Sequence, residues 1–530
     1  MSLHWLPSGA PAVWAVTALL VWAVATVWTV RQGRVGVPFA VFLACLFTFL
    51  LSRPALTLLG VRSRQSRGLL GTNFHDEDTL TGVFVLLTVC LTGLLLGAIV
   101  GHRLLRARGR RPGGDAEDDA GAAPPAVRPV SRSVRTTGLA LFLVTGLCRV
   151  LVIAEGSSAV ATTGFYELRV AASHAYPYAV YWLAETNALA ACLVLAAAPS
   201  RPLRRMLLAA FVLLAGLSLL TWQRADFGLT LVFALTYLVW SEPALHRRRV
   251  ILTTGAVLAV AAVPLTALLG HLDVLRGRSL VAAAERLPAP VEFLYSQGVS
   301  VNVLGHVIEL RKQLPADRVF SLGPLMEYAL WNLGLGGDPT PPTGQTAERA
   351  LSGHQLSHTL SYLVMPDMYL KGSGYGSSFA AELWLDGGTP LVLLGSVLLG
   401  ALLIALPHGM QHRVLLVRVV ALLVLLEIPF TPRSSFSSAV VHLLSTPMLL
   451  GLALCVLFSL PVDRLLSPRR SAAPPLNQHG TRAAARVPAR PGSIWRPMAS
   501  KAVRRHQRRR PGVTDAAPRS RRRWRRAHRG

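Results

Sequence analysis

Charged residues are scarce in this chain: they make up 15% of 530 residues, against 52% that are hydrophobic, and the mean hydropathy is +0.45. Soluble globular domains carry about a quarter charged residues and disordered chains more, so neither class fits. Acid is scarcer still, with 26 Asp and Glu against 54 Lys and Arg, a net charge of +28. Cysteine is limited to five, Cys45, Cys90, Cys148, Cys192 and Cys455, all inside apolar runs and none in a C-x-x-C arrangement. That pattern argues for core thiols, and against a disulfide framework or a thiolate metal site. The chain also has no P-loop, Rossmann fingerprint, H-E-x-x-H or nucleophile elbow, and the GSGYG of residues 372–376 follows no strand-like run. The usual cytosolic nucleotide and hydrolase chemistries lack their residues here.

What the chain has in abundance is apolar runs of membrane-crossing length. They fall at about 11–30, 36–52, 80–101, 137–154, 178–198, 207–222, 227–241, 251–270, 389–407, 414–430 and 441–460. Each is long enough for a helix through the hydrocarbon core. The expected fold is therefore all-α: a polytopic integral membrane domain over residues 1–460, with about eleven transmembrane helices. The first run has no basic segment before it and no small-residue cleavage pattern after it, so it is expected to be a retained span.

Residues 464–530 hold nineteen arginines and Lys501 against Asp515 alone. With many Pro and Ala and few apolar anchors, residues 461–530 are expected to be a disordered Arg-rich tail. Anionic headgroups on the cytoplasmic leaflet suit it, and no nucleic-acid partner is expected. An odd number of spans then places the N-terminus outside and the C-terminus in the cytoplasm. The cytoplasmic connections would contain Arg31 and Arg34, the linker 102–136, Arg201 with Arg204 and Arg205, Arg247 to Arg249, and His412 with Arg413, and all are basic as the positive-inside rule requires. Arg53, Arg62, Arg64 and Arg67 depart from that rule on the expected outer side.

The linker 102–136 is a low-complexity hinge. A second long connection, 271–388, carries helix-like apolar patterning in VEFLYSQGVSVNVLGHVIEL and LGPLMEYALWNLGL, and is expected to be a large ordered extracytoplasmic loop. Several residues there and at the span ends could carry chemistry. Arg224 lies in QRADFG, squeezed between two spans, while Arg53 and Arg433 sit at the same expected depth. A guanidinium fork suits a phosphate or diphosphate, although arginines also anchor helix ends. His354 and His358 are spaced i, i+4, which on a helix puts both on one face, and no third ligand for a metal stands nearby. Glu382 and Asp386 share that spacing; Glu382 could act as a general base or could simply complement a helix N-terminus. Arg149, Glu155, Glu185, Asp226, Arg418 and Glu427 are the other ionisable groups near membrane depth, with Arg418 expected to snorkel toward the cytoplasmic side. Asp76 and Asp78 in FHDED have a D-x-D spacing, which fits a solvated acidic loop better than a cation site.

Four segments resemble the Wzy-type O-antigen and capsular polysaccharide polymerases, or oligosaccharide repeat-unit polymerases: FTFLLSRPALTLLG (47–60), GFYELR (164–169), FLYSQGVSVNVLGHVIE (293–309) and GSGYGSSFAAELWLDGGTPLVLLG (372–395). The resemblance implies a metal-independent glycosyltransferase of the cell membrane, needing no cofactor, that polymerises undecaprenyl-diphosphate-linked oligosaccharide at the outer face. Membrane lipids, a chain-length regulator and a flippase would be further partners. On that reading Arg53, Arg224, Arg433 and His354 would bind substrate, and Glu382 or His358 would serve as base. A lipid-phosphate-sugar-dependent glycosyltransferase, which would promote Asp76, Glu77 and Asp78, an O-antigen ligase, a transporter and a non-catalytic export scaffold are the alternatives.

Overall fold

A long apolar segment in a bilayer can pair its backbone groups only with one another, and closing each N–H onto a C=O of the same segment makes it a helix. The computed structural model describes residues 9–61, 66, 68–109, 132–163, 175–221, 224–242, 287–332 and 344–459, and every regular element among them is helical. All belong to one compact unit, Met1–Pro468. Eight helices are long and apolar enough to cross a membrane: Ala10–Arg31, Gly33–Leu58, Glu77–Ala107, Val134–Val160, Tyr178–Ala196, Arg201–Thr221, Phe379–Met410 and Leu415–Arg433. The chain is a multi-pass membrane protein.

These eight match the first six, ninth and tenth of the expected spans. The seventh is the continuous helix Arg224–Ser241, whose first turn carries Arg224 and Asp226. The last is not one span but two helices, Ser438–Leu444 and Thr446–Ser459, because Ser445 takes an extended ψ of 143° and Pro447 supplies no N–H. The expected span at 251–270, the GFYELR segment, linker residues 110–131 and the tail from 460 onward lie outside the described residues. Of the expected loop 271–388, the described parts form short helices, among them Ala289–Gln297, Val301–Glu309, Ala347–Ser352 and Leu356–Val364.

The central packing joins Glu77–Gly109 to Phe379–Met410. Gly93, Gly97 and Gly101 recur every four residues and so line one face of their helix. A Cβ built on Gly97 would lie 1.9 Å from the Val397 carbonyl oxygen, and one on Gly400 would lie 2.1 Å from that of Leu94. Backbones this close gain dispersion contacts that lipid cannot supply equally well, which is how helices associate inside a membrane.

At one end of the bundle, arginines serve helix C-termini. Arg34 Nε donates to the Trp240 carbonyl at 2.7 Å, Arg204 and Arg205 reach the Glu242 carboxylate at 2.9 and 2.8 Å, and Arg418 Nη1 donates to the Ala196 carbonyl at 2.9 Å. Terminal carbonyls lack intrahelical donors and carry the negative end of the dipole, so cations stabilise them. Arg418 is only 2% exposed. It therefore does not snorkel as its sequence position suggests; the Ala196 and His412 carbonyls hold it inside.

At the other ends, local backbone departures aim side chains. A π-helical turn, Phe47–Leu51, precedes Ser52–Leu58. Gly387 and Gly388, the latter at φ +65°, break Phe379–Met410 after its second turn. Asp386, just before that break, accepts from the backbone N–H groups of Phe320 and Ser321 at 2.8 and 2.7 Å. Asp76 caps Glu77–Gly109 by accepting from the Thr79 N–H and hydroxyl at 2.9 and 2.7 Å. Those bonds hold its carboxyl below the usual range.

Candidate active site

The N-terminal end of Arg224–Ser241 faces a cavity of about 640 Å³ whose lining brings together distant parts of the chain. Arg224 comes from that helix, Phe49 from the π turn, Gln297 from Ala289–Gln297, His358 from Leu356–Val364, and Arg433 from the 3₁₀ turn Ile428–Arg433. Arg433 Nη1 donates to Gln297 Oε1 at 3.1 Å, and its guanidinium carbon stands 5.8 Å from the Phe49 ring centroid. The aromatic face and the amide acceptor help to orient the guanidinium fork. Asp226, in the same first turn as Arg224, is engaged by Arg149. The cavity thus meets two guanidinium groups and the positive end of a helix dipole, an arrangement that favours an anion.

His358 lines the same cavity. Its Nδ1 lies 2.9 Å from the Tyr369 hydroxyl, which donates to the Thr346 carbonyl at 3.3 Å. Burial, and then Arg349, push the His358 imidazole down to about 4, while burial pushes the Tyr369 phenol up to about 12. At neutral pH the imidazole is uncharged and keeps a nitrogen lone pair, and the phenol keeps its proton.

A second cavity, of about 850 Å³, adjoins the first; Asp226, Leu229, Ser357, Gly376 and Arg433 line both. Glu382 borders it at 1% exposure and accepts from Ser377 Oγ at 2.6 Å, Ser435 Oγ at 2.8 Å and the Phe436 N–H at 2.9 Å. Its oxygens are occupied by these bonds, which fix the 434–436 loop immediately after Arg433.

Two expected site residues stand apart from both cavities. Arg53, 3% exposed, donates Nε to the Tyr295 carbonyl at 2.6 Å and Nη1 to that of Gly71 at 3.4 Å, with its guanidinium carbon 4.9 Å from the Tyr295 ring centroid. His354 does not share a helical face with His358. Gly353 and Gln355 have extended ψ values of 166° and 116°, so the helix begins only at Leu356. The His354 N–H donates to Glu327 at 2.9 Å, and its Nδ1 is buried without a partner among the described residues. No three His, Cys, Asp or Glu side chains gather at metal-binding distance among the described residues. Sequence reasoning did not single out Gln297 or Tyr369. Gln297 carried one signal, membership of the helix-patterned VEFLYSQGVSVNVLGHVIEL segment, and Tyr369 carried none.

Apolar helices enclosing chambers that carry arginine, histidine and carboxyl side chains define an integral membrane protein with internal cavities. The sequence model described as O-antigen polysaccharide polymerase Wzy matches residues 10–462, and the chain belongs to that family. No curated protein and no solved structure matches it.

Proposed function

We propose that the chain joins undecaprenyl-diphosphate-linked oligosaccharide units at the outer face of the cytoplasmic membrane, with the diphosphate of the growing chain between Arg224 and Arg433. The observation that carries this reading is the convergence of those two arginines, from distant segments, on one cavity beside His358. In the step itself, a hydroxyl oxygen of the incoming unit bonds to the anomeric carbon of the donor. The anomeric bond to the diphosphate breaks, and the lipid diphosphate leaves with the electron pair. Two guanidinium groups match the charge that grows on the leaving oxygen. Nε2 of His358 takes the hydroxyl proton: the Thr346 carbonyl claims the Tyr369 proton, so Nδ1–H points to the phenol oxygen and Nε2 keeps its lone pair. On this reading Glu382 positions the Arg433 loop, and Arg53 holds the cavity wall.

Orientation follows from charge. Arg34, Arg204 and Arg205, which serve the helix end at Trp240 and Glu242, come from connections that the positive-inside rule assigns to the cytoplasm, while Arg224 lies at the opposite end of its helix. The test is the size distribution of lipid-linked surface glycan after gene deletion and restoration. Single repeat units should accumulate in the deletion, wild type should restore the ladder, and Arg224→Ala or Arg433→Ala should not. A full ladder with either variant would reject the diphosphate assignment.

A further inference from the structure

The second chamber is larger than the first and differs in chemistry. Its loop side presents the hydroxyls of Ser434, Ser435 and Ser438, its helix side presents the carboxyl groups of Glu185, Asp226, Glu382 and Glu427, and Arg149, Arg433 and His442 line it as well. Three of these carboxylates are engaged: Asp226 by Arg149, Glu382 by its three donors, and Glu427 by His442 Nε2 at 3.8 Å. Glu185 differs. It is exposed, lines the chamber, and has no hydrogen-bond partner among the described residues, although it sits within the Tyr178–Ala196 span. An ionisable group at such depth is costly unless something polar meets it.

Serine hydroxyls both donate and accept, and a carboxylate accepts in two directions, so this lining matches the hydroxyls of a sugar. A sugar whose own carboxylate or phosphate came against Glu185 would bring like charge to it, which disfavours binding there. The shared residues Ser357, Gly376 and Arg433 set this chamber directly against the first, beside His358.

We propose that the second chamber binds the acceptor-end sugar of the incoming repeat unit, and that Glu185 is a specificity-determining residue that accepts hydrogen bonds from that sugar's hydroxyls and selects an uncharged or amino sugar over an acidic one. The proposal rests on the polymerase reading of the first chamber. It makes Glu185 a binding group, whereas the transferred proton goes to His358.

Two measurements on the full chain test it. The single repeat unit that accumulates in the gene deletion is isolated, and its non-reducing terminal sugar identified. A neutral or amino sugar is expected, and a uronate or phosphorylated sugar overturns the proposal. With that unit as substrate for the purified protein in lipid nanodiscs, Glu185→Gln should raise KM by about tenfold, the effect of losing one charge-assisted hydrogen bond, while kcat changes much less. An unchanged KM overturns the proposal. Should Glu185→Gln fail to fold, Glu185→Asp takes its place: the shorter side chain withdraws the carboxylate from the sugar, so KM should still rise with kcat changed much less, and an unchanged KM overturns the proposal. A deletion that accumulates no unit counts against the polymerase reading instead. The chamber is then judged by saturation-transfer NMR with cellobiose and its uronic-acid counterpart. Preference for cellobiose, lost in the Glu185 variant, supports the chamber; equal signals overturn it.

Discussion

The imidazole of His358 and the phenol of Tyr369 meet at 2.9 Å, Nδ1 to hydroxyl, and the phenol reaches on to the Thr346 carbonyl. This chain fixes both the ring orientation and the tautomer of a histidine that lines the arginine cavity. Tyr369→Phe should lower kcat by about tenfold to a hundredfold, a portion of what a positioned base contributes, with KM nearly unchanged. Steady-state kinetics on isolated lipid-linked units check this. A change confined to KM would place His358 in binding.

Arg433 and Arg53 should separate by assay. Arg433→Lys keeps the charge but loses the fork that meets Gln297 and an incoming diphosphate, and kcat should fall by about 10²–10³, as for other lost transition-state donors. Arg53→Lys would leave the Tyr295 or Gly71 carbonyl without its donor inside the protein. Its expected effect is a lower thermal midpoint, at about 1–3 kcal/mol for an unsatisfied buried group, measured on purified protein.

Gly97→Ala places a methyl 1.9 Å from the Val397 carbonyl oxygen, a backbone atom. The two central helices must move apart, and a loss of about 1–3 kcal/mol is expected. Gly228 offers the contrast, since nothing lies within 4 Å of its added Cβ. Gly228→Ala should leave stability unchanged or raise it by about 0.5–1 kcal/mol through helix propensity. Thermal unfolding in one detergent compares the pair.

Acid should destabilise the fold through two half-buried histidines. Burial pushes both His306 and His358 down to about 4. In the unfolded chain each takes up a proton near the ordinary value of about 6.5. Between those values the unfolded state binds more protons, so stability is complete above about pH 6.5 and is lost as the pH falls toward 4, by at most about 1.4 kcal/mol per pH unit for each histidine. Unfolding midpoints measured from pH 7 to 4.5 should show this slope, and His306→Asn should reduce it.

Much of the bundle was legible because bilayer thickness imposes a length on each apolar run. Arg224 and Arg433 stood out because a cation near membrane depth has few inexpensive roles, and His358 stood out through its i, i+4 spacing with His354. The rest depends on partners remote in sequence, which no periodicity encodes. Glu382 meets Ser435 and Phe436, and Arg53 meets the Tyr295 carbonyl. The i, i+4 spacing of His354 and His358 carries information only if one helix holds both, and the extended backbone at Gly353 and Gln355 removes that condition. The four-residue glycine repeat was readable, but the approach of Val397 to Gly97 belongs to the tertiary structure.

Arg433, Asp226, Ser357 and Gly376 belong to two chambers at once. An occupant on one side therefore alters the same atoms that the other side presents. Whatever free energy the first occupant lends the second, the second returns in equal measure, so the two affinities are reciprocally linked. A substitution in this partition changes how strongly each occupant senses the other, as well as how tightly either is held.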